Sequence, residues 1–420
     1  MPKTTFLTTL PLFFVLALPS GYYPVDGYRH TGIRRLERLR LRLAGELKGR
    51  VPVAGARKRW DEIKLHLHQT AAETLNTLPQ IDSTLQNQIE TLFARRHKSY
   101  SLALMEITPG QPMRYAELRP ELQYQPGSVG KIAIAVGMFA ELEKLFPDSV
   151  KYRTYLLRSR VVEADRWIQT DHHKVPIFDP VSRKVEFRAI RAGDRFTLYE
   201  WLDHMLSPSS NAAASIVWKE AMLMRKFGRA YPPSRAAEGA FFDQTPKAKL
   251  QEIALSVVSD PLRALGIADR DWRLGSFFTR VGKQIVPRGG SHASPRGLLM
   301  FLMRLEQGRV VDDWTSLELK RLLYMTEKRI RYASAPRLNR SAVYFKSGSL
   351  YSCKKEQGYK CGKYRGNRQN YMNSVAIVEK PEGKVYMVAL MSNVLRVNSA
   401  VEHQSLATFI DKTIMQQSRK

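Results

Sequence analysis

Three short clusters in this chain carry side chains that could do chemistry together: Ser128-Val129-Gly130-Lys131, Ser209-Ser210-Asn211 and Lys346-Ser347-Gly348. A serine hydroxyl is a weak nucleophile near neutral pH and needs a base to take its proton. Lys131 follows Ser128 by three residues, one helical turn on and facing the same side. A buried lysine close to a second cation sheds its proton readily, because neither a low dielectric nor a like charge tolerates the ammonium. Lys346 is the candidate second cation. The chemistry these residues suit is attack of Ser128 Oγ on an amide-like carbonyl, with Lys131 as base.

Each cluster sits where a recognisable element should hold it. Pro126-Gly127 marks a turn before Ser128. Ile132 to Val136, Met138 and Phe139 are apolar all round, which predicts a buried helix. Its N-terminus would stabilise negative charge developing on Ser128 Oγ, and the Ser128 N–H could donate to an oxyanion. The second cluster follows the helical pattern Leu198, Trp201, Leu202, Met205, Leu206 and precedes Ala212 to Ala214. Ser209 there can relay a proton to a leaving nitrogen, and Asn211 can bind a substrate carbonyl and Lys131. Read alone, Ser209 or Ser210 is simply the N-cap of the next helix. The third cluster closes a β-rich run, Val343-Tyr344-Phe345. Ser347 could bind a substrate carboxylate. Gly348 would let substrate lie against the strand edge, and Ser349 N–H could complete an oxyanion hole. A second Ser-x-x-Lys, Ser352 to Lys355, has no apolar helix after it and lies in a basic loop.

The wider pattern predicts how the clusters meet. A helix capped by Asp82 or Ser83 should run to about Arg96. Tyr100 to Ile107 alternates as a strand, Pro109-Gly110 turns, and Met113 to Leu118 returns. Val343 to Ser349, Ser374 to Glu379 and Lys384 to Met391 read as three more strands, and Ala400 to Gln416 as a closing helix. Residues 128 to 330 are mostly helical in pattern. The expected fold is α+β: a five-stranded antiparallel sheet flanked by helices, with an all-helical block inserted between its strands. Residues 151 to 195 and 219 to 260 look like insertions without clear periodicity. His172-His173 lies in the first, with no further metal ligands in view, so it reads as a polar loop.

Composition bounds the rest. The 420 residues carry a net charge of +28, which suits an anionic partner such as an envelope surface. No zinc-finger, RRM or KH signature points to nucleic acid, and no metal or cofactor is called for. Lys3, the apolar stretch Phe6 to Leu18 and the small residues Ser20 and Gly21 read as an export signal over 1–21. Residues 22–79 form a basic extension in which Leu36, Leu39, Leu43 and Leu47 recur at helical spacing among arginines. That helix could lie on an anionic surface or pack its leucines on the main domain, residues 80–420. The two cysteines, Cys353 and Cys361, follow the third cluster. In an oxidising compartment they would form a disulfide contributing roughly 2.5 kcal/mol through loop entropy.

The ordered set resembles the signatures of the penicillin-binding and β-lactamase superfamily of serine hydrolases, Ser-x-x-Lys, Ser-Asp-Asn and Lys-Thr-Gly. Thr197-Leu198 to Ala214 and Ser294-Pro295-Arg296 are similar to the matching segments of class A β-lactamases. The resemblance covers roughly residues 80 to 420. It implies that Ser128 is acylated, Lys131 is its base, and Ser209 protonates the leaving amine. Asn211, Lys346 and Ser347 would hold substrate, with Ser128 and Ser349 N–H as the oxyanion hole. Class A enzymes also carry an omega-loop glutamate that activates the deacylating water, and Trp272 to His292 contains neither Glu nor Asp. The resemblance therefore implies an exported, periplasmic or otherwise extracytoplasmic serine hydrolase acting on β-lactams or related amides and esters. The alternatives are a D,D-peptidase or transpeptidase on peptidoglycan peptides, or a penicillin-binding sensor that stays acylated.

Overall fold

A computed structural model describes residues 26–49, 51, 57–286, 289–326 and 328–416. The expected export signal lies outside these residues. Five strands form the central antiparallel sheet: β1 (Ser101–Glu106), β2 (Arg114–Leu118), β3 (Ala342–Ser352), β4 (Gln369–Glu379) and β5 (Val385–Asn393). Their spatial order is β2-β1-β5-β4-β3. Strands from both ends of the chain thus share one sheet, and β3, which carries the third cluster, is an edge strand. β3 and β4 run past the expected Val343 to Ser349 and Ser374 to Glu379, because their ladder continues through the pairs from Ser349–Met372 to Ser352–Gln369.

Alternation sends each strand's side chains to two separate cores. Leu102 and Leu104, with Tyr386, Val388 and Leu390, face α2 (Ser83–Phe93) and the C-terminal helix α9 (Ser399–Gln416). Ala103 and Met105, with Met387, Ala389 and Met391, face the helical block. The axis of that block is α3 (Lys131–Leu145), in which every residue from Lys131 to Leu142 is buried. It packs on α4 (Leu198–Leu206), α5 (Asn211–Phe227) and α6 (Lys247–Ala264), with α7 (Pro295–Glu306) and α8 (Asp313–Tyr324) closing toward the sheet. The sheet and inserted helical block together have the expected α+β architecture.

The two stretches without visible periodicity are ordered. Residues 151 to 195 hold most of the helix Val150–Ser159 and a small hairpin, Val175–Phe178 with Val185–Arg188. Residues 219 to 260 are largely helical, from the end of α5 through Arg235–Gln244 into α6. In α6 the buried Leu250, Ala254, Val257, Val258 and Leu262 do recur at helical spacing, a repeat missed in the sequence, whereas Arg235–Gln244 buries only Phe241 and Phe242 and is held by aromatic packing. Trp167 meets Phe242 at 4.8 Å and Phe277 at 5.2 Å, and Phe277 stacks on Trp218 at 4.2 Å.

In the extension, α1 (Arg34–Leu43) turns Leu36 and Leu41 inward, with Leu39 packed against the same core. Arg35 and Arg38 are buried as well. Arg34 pairs with Glu200 at 2.6 Å, and Arg35 grips both oxygens of Asp203 at 2.6 Å. Further on, His66 and Lys58 both engage Glu379 at the end of β4, beside the buried Lys320–Glu306 pair.

Candidate active site

Ser128 lies in a 3₁₀ turn, Gly127–Gly130, that runs directly into α3. The turn is pressed against the edge strand β3. A Cβ on Gly348 would stand 2.2 Å from Pro126 O and 2.8 Å from Ser128 N, and one on Gly127 (φ 54°) would stand 3.0 Å from Ser349 N. Only glycine at both positions permits this approach. It brings the Ser128 and Ser349 backbones to one wall of an open cleft of about 750 Å³.

Lys131 is fully buried, and its Nζ is the hub of the site. It lies 3.3 Å from Ser128 Oγ, 2.5 Å from Ser209 O, 2.8 Å from Asn211 Oδ1 and 3.3 Å from Ser209 Oγ. Burial pulls its pKa down to about 7, against a smaller upward pull from Asp171. A neutral amine has two N–H donors and one lone pair. Ser209 O and Asn211 Oδ1 take the two donors, which leaves the one lone pair free to accept from a serine hydroxyl. Lys346 Nζ donates to Ser209 Oγ at 2.8 Å. Its burial, then Lys131 and Arg331, hold it well below the ordinary lysine range. Two lysines thus converge on one hydroxyl, a geometry suited to passing a proton among them. Ser209 adopts φ 66°, the left-handed region that non-glycine residues rarely enter, and so turns both its carbonyl and its hydroxyl toward Lys131.

The second cluster is held by a residue the sequence reading missed. Asp171 Oδ2 accepts from Ser210 Oγ at 2.8 Å and from the N–H groups of Asn211 and Ala212 at 2.7 and 2.9 Å. Its Oδ1 lies 2.6 Å from His173 Nδ1. Burial alone would raise the Asp171 carboxyl, but His173, the Ala212 N–H and Ser210 hold it well below the usual range. Asp171 therefore caps α5 from another segment, and His173 is carried to the cleft wall. The polar-loop reading of His172-His173 overlooked this, and Asp171, one residue before the pair, was its only signal. No metal-binding cluster occurs among the described residues.

Arg331 is the second residue missed. It donates to Ser347 Oγ at 2.7 Å and Ser349 Oγ at 2.8 Å, from a 3₁₀ turn at φ 53°. Ser347 also donates to Asn373 O on β4 at 3.1 Å. A guanidinium beside these hydroxyls is a ready-made carboxylate seat. Cys353 and Cys361 form a disulfide just beyond β3. The wall opposite β3 comes from the segment that begins at Trp272. Its neck is closed by pairing of Trp272 with Ala293 and Arg273 with His292. From it the Phe278 ring reaches to 4.9 Å from Lys131 Nζ. Asp269 stays at the neck with Arg263 and Arg273, and Asp271 lies beside Arg270. Neither lines the cleft, and among the described lining residues there is no aspartate or glutamate.

No family model matches the chain, and no curated protein matches it. Solved structures do. A class A β-lactamase from Bacteroides cellulosilyticus DSM 14838 is 14% identical, with a TM-score of 0.52 over 81% of this chain and 100% of that one. The TLA-3 extended-spectrum β-lactamase is 13% identical, with a TM-score of 0.52 over 80% of this chain and 99% of its own. PBP-A is 13% identical, with a TM-score of 0.50 over 81% and 99%. At such identities the likeness speaks for the fold alone. The chain has the fold of the β-lactamase and penicillin-binding superfamily.

Proposed function

We propose that this protein is an exported serine hydrolase that forms an acyl-enzyme through Ser128. Its substrate would be a β-lactam or a related amide or ester carrying a carboxylate. The observation that carries this reading is the wiring of Lys131, a fully buried amine whose donors are taken by Ser209 O and Asn211 Oδ1 while Ser128 Oγ stands 3.3 Å away. Lys131 takes the Ser128 proton as Oγ attacks the carbonyl carbon. The Ser128 and Ser349 N–H groups stabilise the oxyanion, and Ser209, bonded to Lys346, returns a proton to the leaving nitrogen. Asn211 holds the acyl side, Gly348 leaves room along β3, and Ser347 with Arg331 seats the carboxylate.

A specific observation favours a second reading of the acyl-enzyme's fate. The segment after Trp272 offers Lys131 a phenyl ring, Phe278, and no carboxylate. Without a base, attack of water on the acyl-enzyme loses a factor of about 10²–10⁴. This supports a D,D-peptidase or transpeptidase that passes the acyl group to an amine, or a sensor that stays acylated, over a fast β-lactamase. The net charge of +28 suits work beside an anionic envelope polymer. Arg34 and Arg35 are engaged internally, so such contact would rest on other cations of the extension and the domain.

The test is mass spectrometry of the protein with benzylpenicillin. A Ser128 adduct lasting minutes or longer is expected. No adduct, with Ser128→Ala indistinguishable from wild type, overturns the acylation reading, and turnover within seconds restores the β-lactamase.

A further inference from the structure

The mouth of the cleft carries a built feature that acylation itself does not use. Beyond β3 the chain makes a loop closed by the Cys353–Cys361 disulfide, and residues 363 and 364 fold back to line the cleft. Tyr364 sits at φ 62°, in the left-handed region that is costly for a bulky side chain. Ser399 at the start of α9 holds it there, donating its N–H and its hydroxyl to Tyr364 O at 3.1 and 3.2 Å. The loop is braced again by Asn367, which donates to Lys354 O at 3.0 Å and to Glu356 at 2.8 Å, and by the Arg396–Glu356 pair at 2.8 Å. The Tyr364 ring is thereby fixed against two cations. Arg331 lies 4.7 Å from its centroid and Lys363 lies 5.2 Å from it.

This arrangement gathers two positive charges about one ring. Arg331 already touches Ser347 and Ser349, and its buried Nε–H has no acceptor. Lys363 stands farther out, on the solvent side. Lys283 and Lys346 line the same cleft, in which the described lining residues include no carboxylate. A single substrate carboxylate seated on Ser347 and Arg331 leaves Lys363 with Tyr364 beside it and no carboxylate among the described residues of the cleft.

We propose that Lys363, presented by Tyr364 and the disulfide loop, forms a second anion subsite beside Arg331, so that the preferred acyl donor carries two acidic groups on its leaving portion. The proposal rests on Ser128 acylation and names the substrate class for it. One carboxylate of the leaving portion lies on Ser347 and Arg331, and the other reaches Lys363 along the Tyr364 ring.

Two thioesters of hippuric acid test it, one of mercaptoacetate with a single carboxylate on the leaving thiol and one of mercaptosuccinate with two. In each, the Ser128 Oγ–acyl bond forms, the carbon–sulfur bond breaks, and the serine proton ends on the departing sulfur. The readout is the ratio of kcat/KM for the two, from thiol release. Wild type should favour the dicarboxylate by roughly three- to fivefold at low salt, a size set by the exposure of Lys363. The ratio should shrink toward one in high salt. It should fall to about one in Lys363→Gln and below one in Lys363→Glu. A wild-type ratio of one, or a preference that survives Lys363→Glu, overturns the proposal. No thiol release from either ester, with Ser128 unmodified, instead overturns the acylation reading on which it stands.

Discussion

Asp171 Oδ2 accepts a hydrogen bond from Ser210 Oγ at 2.8 Å, and through that bond a loop some forty residues upstream fixes the start of α5. The same oxygen takes the Asn211 and Ala212 N–H groups, so the carboxylate answers donors that a helix N-terminus otherwise leaves open. Ser209 and Asn211 owe their approach to Lys131 to this anchor. Asp171→Asn keeps the volume but loses the charge and an acceptor. It should lower stability by about 1–3 kcal/mol. It should also slow acylation of Ser128 by roughly 10- to 100-fold through misplacement of Ser209 and Asn211. Urea unfolding and the rate of penicillin adduct formation check the two effects. An acylation rate equal to wild type would remove Asp171 from the site.

The state of Lys131 sets the pH dependence of acylation. Only the neutral amine can take the Ser128 proton, and burial brings its pKa to about 7. Raising the pH through 7 should therefore raise the acylation rate to a plateau. Below 7 the rate should drop about tenfold per pH unit. A rate flat from pH 5 to 9 would identify another base.

Gly348→Ala tests the contact between the serine turn and β3. The added methyl would stand 2.2 Å from Pro126 O, which is backbone and has little freedom to yield. A cost of about 1–3 kcal/mol in stability is expected, with loss of adduct formation. Thermal unfolding and mass spectrometry are the measurements. A variant acylating like wild type would show that Ser128 does not need this register.

Acid stability should track two buried histidines. His403 bridges Ser374 and Ser392 at 3.0 and 2.9 Å, and burial pulls its pKa to about 3. His204 is likewise buried, with a pKa near 4. Both values are depressed from 6.5, so the unfolded chain binds more protons below that pH. Stability is then lost as pH falls from about 6.5 toward 4, by about 2–3 kcal/mol for each histidine at pH 4.5. His403→Gln should lose less between pH 7 and 4.5 than wild type does, by urea midpoints. An equal loss would exclude His403 as a source.

Removing the disulfide with Cys353→Ser and Cys361→Ser should cost roughly 2.5 kcal/mol in the loop-entropy account. Calorimetry measures that cost. A transition temperature unchanged from wild type would mean that the hydrogen bonds of Asn367 and Glu356 hold the loop without it.

The sequence alone determined the local parts. The unbroken apolar runs Leu102 to Met105 and Val385 to Met391 required strands with two buried faces, since successive side chains point to opposite sides and all must be covered. The all-round apolar run after Lys131 required a central helix, and the order of the three clusters foretold which elements would carry them. Tertiary structure decided what those local patterns do not encode. Asp171 and Arg331 reach the site from segments about 40 and 16 residues away from the groups they touch, through chain reversals that no periodicity records. The helix Arg235–Gln244 buries only Phe241 and Phe242, and the contact of Phe242 with the distant Trp167 is recorded by no local repeat. The depressed pKa of Lys131 and the closeness of Ser128 to β3 arise only when burial and two glycines bring three distant clusters together. Electrostatics at a site depends on distance through space, and the sequence states only distance along the chain.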